Sequence, residues 1–209
     1  MMDPLDKAIL GSLYLCSLDS HASALDLLRS RLPLPREIYN EKIQKLVDFG
    51  FIERDDNSKL TFLGRDAFKV VLVGGVFDLI HPGHIHTLKA AKGQGDILIV
   101  VIARISTATL IKKGRKIYHN EKQRAELVSS LRFVDLAVLG RQGTLYDTVE
   151  HIKPDIIALG YDQAHSEKDI AENCRKRNLV VRVIRLNTPV PSTKSSQIKD
   201  NLGKYFYRI

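Results

Sequence analysis

The chain has 209 residues, enough for one large domain or two modest ones at about 100–200 residues each. Hydrophobic residues make up 44% and charged residues 27%, a balance that excludes a disordered or collagen-like chain. The net charge of +8 is unevenly held: residues 1–68 carry 9 Lys/Arg and 11 Asp/Glu, net −2, whereas residues 69–209 carry 23 and 13, net +10.

Along the chain, Leu5, Ile9, Leu10 and Leu13 keep helical spacing. A second helix starts after His21 with Ala24, Leu25 and Leu28. Pro35 can open a third at its first turn. That helix runs to about Phe49, buries Tyr39, Ile43, Leu46 and Val47, and ends at Gly50 as a C-cap. Phe51–Arg54 and Lys59–Phe62 flank the polar turn Asp55-Asp56-Asn57-Ser58, a hairpin pattern. Three helices and a two-stranded wing resemble a winged helix-turn-helix domain, and Leu60–Gly64 is typical of the stretch after such a wing.

From Lys69 the pattern becomes alternating strands and helices. Apolar runs lie at Val70–Val73, Ile97–Ala103, Val134–Leu139, Ile156–Leu159 and Val180–Ile184. Helical stretches lie at Gly83–Lys92, Asn120–Leu131, Leu145–Ile152 and Glu167–Lys176, with a last one from near Ser195. Continuous apolar strands separated by helices imply a Rossmann-like α/β domain with a parallel sheet covered on both faces. The expected division is therefore 1–68 and 69–209.

The longest apolar run is far short of the ~20 residues of a membrane helix. The acidic start has no basic n-region, so neither a signal peptide nor membrane attachment is expected. Two cysteines, Cys16 and Cys174, cannot build a disulfide framework, which points to the cytoplasm. The basic second part favours polyanionic partners, nucleic acid or nucleotide phosphates, over a surface charged only for solubility.

The first strand–helix junction reads Gly74-Gly75-Val76-Phe77-Asp78-Leu79-Ile80-His81-Pro82-Gly83-His84. Open α/β sheets bind ligands beyond the carboxyl ends of their strands, where helix N-termini point. The two glycines let backbone approach a ligand, and His81 and His84 flank a Pro-Gly turn. Two ring donors with free backbone amides suit phosphate oxygens. Neither a Gly-x-Gly-x-x-Gly fingerprint nor a Walker-type phosphate loop is present. A metal on His81, His84 and His86 is disfavoured because spacings of three and two do not share one helix face.

Gly75-Val76-Phe77-Asp78 with His81-Pro82-Gly83-His84 resembles the signature of the nucleotidyltransferase superfamily that includes the cytidylyltransferases. Ser192-Thr193-Lys194-Ser195-Ser196-Gln197-Ile198 is similar to that family's Ser/Thr-rich start of the last helix. The stretches Ala103–Thr107, Lys112–Lys116, Asn120–Arg124 and Lys153–Gln163 look like those of archaeal FAD synthases, so the resemblance covers about residues 69–199. Two departures stand out. Val76 replaces a common Thr, and Ile105 stands where an Asp usually follows the strand-two Arg.

The resemblance implies transfer of AMP from ATP to FMN, giving FAD and pyrophosphate. His81 and His84 would donate to α- and β-phosphate oxygens, and Lys112 or Lys113 would neutralise phosphate charge. Val76, Phe77, Pro82 and Gly83 complete the nucleotide-binding junction. Gly160, Tyr161 and Asp162 suit the base or ribose, while Ser195 and Ser196 hold the outer phosphates. Arg104 and Arg124 are assigned to the acceptor substrate, Arg124 with a helix salt bridge as its other role. Mg²⁺ or another divalent cation would be held mainly by the triphosphate, with no protein metal site.

Two other functions compete. One is cytidylyl transfer from CTP to glycerol 3-phosphate or another small phosphorylated alcohol. The relatives that do this usually carry a Trp after the fourth strand, and this chain has none. The other is a transcription regulator with a nucleotide-sensing domain. The helix in the recognition position, Arg36 to Asp48, has Arg36, Lys42 and Lys45 against Glu37, Glu41 and Asp48, so DNA binding is not favoured. A protein contact such as a homodimer suits the first domain at least as well.

Overall fold

The computed structural model describes residues 2–19, 23–30, 32–111, 117–161, 163–187 and 198. The chain divides into two compact units, Met1–Lys69 and Val70–Ile209.

The first unit holds α1 (Pro4–Leu18), α2 (Ala24–Arg29), α3 (Arg36–Asp48) and α4 (Phe62–Asp66). Asp3 caps α1 by accepting the Leu5 N–H at 2.9 Å, and Pro4 fills the first turn, where no amide donor is needed. Ile9, Leu10, Leu13, Tyr14 and Leu15 of α1 are buried, as are Ile43, Leu46 and Val47 of α3. Lys42 of α3 pairs with Asp3 and Asp6 of α1. After α3, Gly50 takes φ +76°, the left-handed turn that lets the chain reverse. Ile52 and Leu60 then form a single antiparallel bridge.

Three expectations for this unit need correction. Pro35 is the N-cap of α3 rather than part of its first turn. Tyr39 is half-buried, not core. Phe62 does not continue a strand: the Thr61 hydroxyl accepts the Gly64 N–H at 3.1 Å and donates to the Gly50 carbonyl at 2.7 Å, which starts α4 at Phe62 and leaves that ring 90% exposed.

The second unit runs β1 (Val70–Gly75), α5 (Pro82–Lys92), β2 (Ile97–Ile102), α6 (Ile105–Ile111), α7 (Glu121–Ser129), β3 (Leu136–Leu139), α8 (Leu145–Ile152), β4 (Ile156–Leu159), α9 (Glu167–Arg175) and β5 (Arg182–Arg185). The five strands form one parallel sheet in the order β3-β2-β1-β4-β5. β1, β2 and β4 are the inner strands, and their apolar runs are buried on both faces for that reason. Val180 is 97% exposed and lies before β5, and Val134 lies before β3, so both outer strands are shorter than their apolar runs suggested. The helix α6 had no sequence counterpart. The expected last helix lies outside the described residues except for Ile198, which is helical. No helix among the described residues is long and apolar enough to cross a membrane.

Two carboxylates fix the amino ends of the strands. Asp155 accepts the Val70 N–H at 2.7 Å. Asp135, 7% exposed, accepts the Leu98 N–H at 2.7 Å and pairs with Lys92. Charge-assisted bonds of this kind contribute more than neutral ones. Replacing Asp135 by Ala should lower unfolding stability by about 1.5–3 kcal/mol. Urea denaturation checks this: the midpoint should fall with the slope unchanged.

Candidate active site

The chain order reverses across the sheet between β1 and β4. Connections from β1 lead outward through β2 to β3, and then the chain returns to place β4 on the other side of β1. A crevice opens at the carboxyl ends of such strands. Gly74 and Gly75 lie at the end of β1, and Gly160 follows β4.

A Cβ on Gly74 would meet nothing within 4 Å, so the end of β1 leaves backbone open to a ligand. Gly75 is glycine for a different reason. A Cβ there would lie 2.6 Å from the Phe77 ring. Phe77 itself adopts φ +51°, a conformation that is rare for a bulky side chain and costs on the order of 1–3 kcal/mol. Its ring is buried in the core of the sheet domain and meets His84 at a centroid distance of 5.1 Å.

His81 is the N-cap of α5, and Pro82 opens the helix. The His81 and His84 rings stack at 3.8 Å with an interplanar angle of 26°. Both imidazoles are thus held together at the positive end of an eleven-residue helix. Ring donors and helix terminus together can bind an oxyanion and stabilise charge that develops on it.

The loop between β1 and α5 is held from below. Asp78, 2% exposed, accepts the Tyr118 N–H at 2.9 Å and the His119 N–H at 3.0 Å through one carboxylate oxygen. The Asp78 carbonyl meets His119 Nδ1 at 2.8 Å. Arg124 is fully buried: Nη1 donates to the Val76 carbonyl at 2.6 Å and Nε to the His119 carbonyl at 3.0 Å. Burial pushes its guanidinium below the usual arginine range, opposed by the charges of Glu121 and Asp78. Nη2 has no hydrogen-bond partner among the described residues. The partners of Arg124 are carbonyls, not a carboxylate, so the helix salt-bridge role falls away.

Arg104 stands just past β2, and its Nε donates to the Gly140 carbonyl beyond β3 at 2.6 Å. Val76 and Phe77 are buried, as are Gly83 and Gly160, while Tyr161 is half-buried. Gln163 bridges the two central strands. Its amide nitrogen donates to the Gly74 carbonyl at 2.7 Å, and its oxygen accepts the Gly160 N–H at 3.2 Å. Lys112, Lys113, Asp162, Ser195 and Ser196 lie outside the described residues. Among the described residues, no group of three or more His, Cys, Asp or Glu side chains could hold a metal ion.

Asp78, His119, Gln163 and Arg185 were not singled out from the sequence. Asp78 sits inside the quoted motif, and His119 sits just before Asn120, the capping residue of α7. Those two could have been found by their neighbours. Replacing Arg124 by Met removes two buried bonds under the loop and should lower stability by about 1.5–3 kcal/mol for each bond to the charged group. Thermal unfolding of the variant measures the loss. An unchanged transition would show that the arginine does not hold the loop.

Residues 72–201 match the cytidylyltransferase-like family. The chain is 51% identical over 116 residues to an FAD synthase of Aciduliprofundum boonei, which spans 56% of this chain and 76% of that protein. FAD synthases of Picrophilus torridus and Methanosarcina barkeri are 44% and 42% identical, spanning 60% and 65% of this chain and 89% and 97% of theirs. A crystal structure of a lipopolysaccharide core biosynthesis protein from Thermoplasma volcanium superposes with a TM-score of 0.56 at 42% identity, over 58% of this chain and 98% of that one. A stacked histidine pair at the sheet's reversal point, on a chain with such relatives, has one reading: this chain belongs to the cytidylyltransferase-like family.

Proposed function

We infer that the protein is a nucleotidyltransferase that joins the AMP moiety of ATP to FMN. The observation that carries the acceptor is the 42–51% identity to archaeal FAD synthases over 116–139 residues. A phosphate oxygen of FMN attacks the α-phosphorus of ATP. The new P–O bond forms as the α–β bond breaks, and pyrophosphate leaves with that electron pair. Chemistry of this kind asks the protein for positioning and charge stabilisation.

His81 and His84 supply donors to the phosphate oxygens as charge develops on them. The open face at Gly74 receives the phosphate chain. Phe77, the first turn of α5 with Pro82 and Gly83, and the Val76 backbone shape the floor. Gly160 and Tyr161 line the β4 side, where the base or ribose sits, and Arg104 faces the acceptor from the β2 side. Lys112, Lys113, Asp162, Ser195 and Ser196 keep their assigned roles as expectations. A divalent cation would neutralise the triphosphate and take its oxygen ligands mainly from it, because the histidines are poor ligands for a hard ion and Asp78 is occupied by two amides.

One assay tests both site and acceptor. FMN and glycerol 3-phosphate are supplied separately, each with ATP and with CTP, and products are separated by chromatography. FAD should form from ATP and FMN. His81→Ala or His84→Ala should reduce turnover ~10²–10³-fold, whereas His86→Ala should leave it near wild type. Formation of CDP-glycerol without FAD would overturn the acceptor. Wild-type turnover in both histidine variants would overturn the site.

We propose that residues 1–68 form a winged helix-turn-helix unit joined to the transferase domain, 69–209. The helix order and the Ile52–Leu60 bridge support this reading. Two of the three cations on α3 are already paired, Lys42 with Asp3 and Asp6, and Lys45 with Glu41. Phe49, Phe62 and Leu63 are exposed. Both features favour a protein contact such as a homodimer over DNA. The full chain should therefore give no sequence-specific band shift with DNA at physiological salt. A salt-resistant, sequence-specific complex would revive the regulator.

A further inference from the structure

Arg185 closes β5, opposite Leu159 of β4. A guanidinium has five N–H donors, and here three are used on one loop and a fourth on the helix that follows it. Nε donates to Glu167 Oε1 at 2.7 Å. Nη1 donates to the carbonyls of Gly160 and Gln163, both at 3.0 Å. Nη2 donates to the His165 carbonyl at 2.7 Å. Three backbone carbonyls from successive turns of the loop after β4 thus converge on one cation. Glu167, the first residue of α9, orients that cation from the other side.

The loop held in this way carries Gln163 across the crevice floor to the Gly74 carbonyl. Gly74 is where β1 leaves open space for a ligand. Arg185 is therefore tied, through Gln163, to the backbone on which the phosphate chain rests. In-line transfer puts the attacking FMN oxygen opposite the leaving pyrophosphate. Arg104 lies on the β2–β3 side and this loop on the β4–β5 side, where the proposed function seats the base or ribose of ATP.

We propose that Arg185 is a positioning residue for the adenine nucleotide: it fixes the backbone at Gly160, Gln163 and His165 so that the β4 side of the crevice is preformed before ATP arrives. The inference rests on the FAD synthase reading for its substrate. Arg185 acts through the loop and through Gln163 and is not a catalytic residue. Lysine at this place keeps the charge but, as a point donor, cannot serve three carbonyls and a carboxylate in one plane.

The test compares wild type with Arg185→Lys, Arg185→Ala, Gln163→Ala and Glu167→Gln. ATP is varied at saturating FMN, and FMN at saturating ATP. Arg185→Lys should raise KM for ATP ~10-fold, with kcat and the FMN KM within about two-fold, as for loss of uniform binding. Gln163→Ala and Glu167→Gln should move KM for ATP in the same direction by less. A KM for ATP unchanged in folded Arg185→Lys, or ATP and FMN KM rising together, would overturn the proposal. If Arg185→Ala does not fold, the lysine and Glu167→Gln variants decide. Titration with a non-hydrolysable ATP analogue and Mg²⁺, without FMN, keeps the two readings apart. A wild type that makes no FAD sinks the acceptor, yet a ~10-fold weaker analogue affinity in Arg185→Lys would still support the positioning role. Equal affinities, or no binding to wild type, would end it.

Discussion

A buried guanidinium sets the rest of this site. Arg124 has no exposure to water, and two of its donor groups end on carbonyls of two different segments, Val76 in the loop after β1 and His119 before α7. Removing such a charge from water is expensive unless its donors are used. The fold meets most of that cost by drawing two loops together over it. Asp78 completes the join by collecting the Tyr118 and His119 amides. Next to Val76, Phe77 takes a left-handed conformation, and its ring packs against Gly75 and His84. The histidine pair is thus placed by a chain of contacts that begins in the core.

That arrangement suits a reaction with little covalent demand on the protein. The sheet contributes a reversal point between β1 and β4, the helix α5 contributes a positive terminus, and the two imidazoles contribute directed donors. None of these groups needs to change its bonding during transfer. The strain stored at Phe77 is small against the barrier of phosphoryl chemistry. The conformation persists because the surrounding contacts impose it, consistent with catalysis by preorganised charge stabilisation. Gln163 and Arg185 extend the same logic to the β4 side, where a polar side chain and a cation do for that loop what Asp78 and Arg124 do for the other.

The sheet domain was legible because its inner strands are fully buried, and full burial writes an unbroken apolar run into the sequence. Val70–Val73 and Ile156–Leu159 are of this kind. The outer strands are shorter than their apolar runs, since Val180 and Val134 are apolar but lie before β5 and β3 begin. The histidines at the start of α5 were legible because Pro82 and Gly83 mark the turn between them. Arg124 was visible as a residue but not in its direction, because a helix position says nothing of whether a long side chain folds inward. Arg185 was invisible: its four partners are backbone carbonyls and one carboxylate from 18 to 25 residues away, and no local pattern encodes such a contact. Phe62 misled because Thr61 looks like a strand residue and acts as a helix cap.

Transfer by this site depends on attack at the α-phosphorus of a nucleotide lying on the His81–His84 end of the crevice. The most direct measurement supplies the full chain with FMN, Mg²⁺ and ATP labelled with radioactive phosphorus at either the α or the γ position. Label from the α position should appear in FAD and label from the γ position in pyrophosphate, with both rates falling together ~10²–10³-fold in His84→Ala. Label from the γ position in the flavin product, or transfer that survives the loss of both histidines, would contradict it.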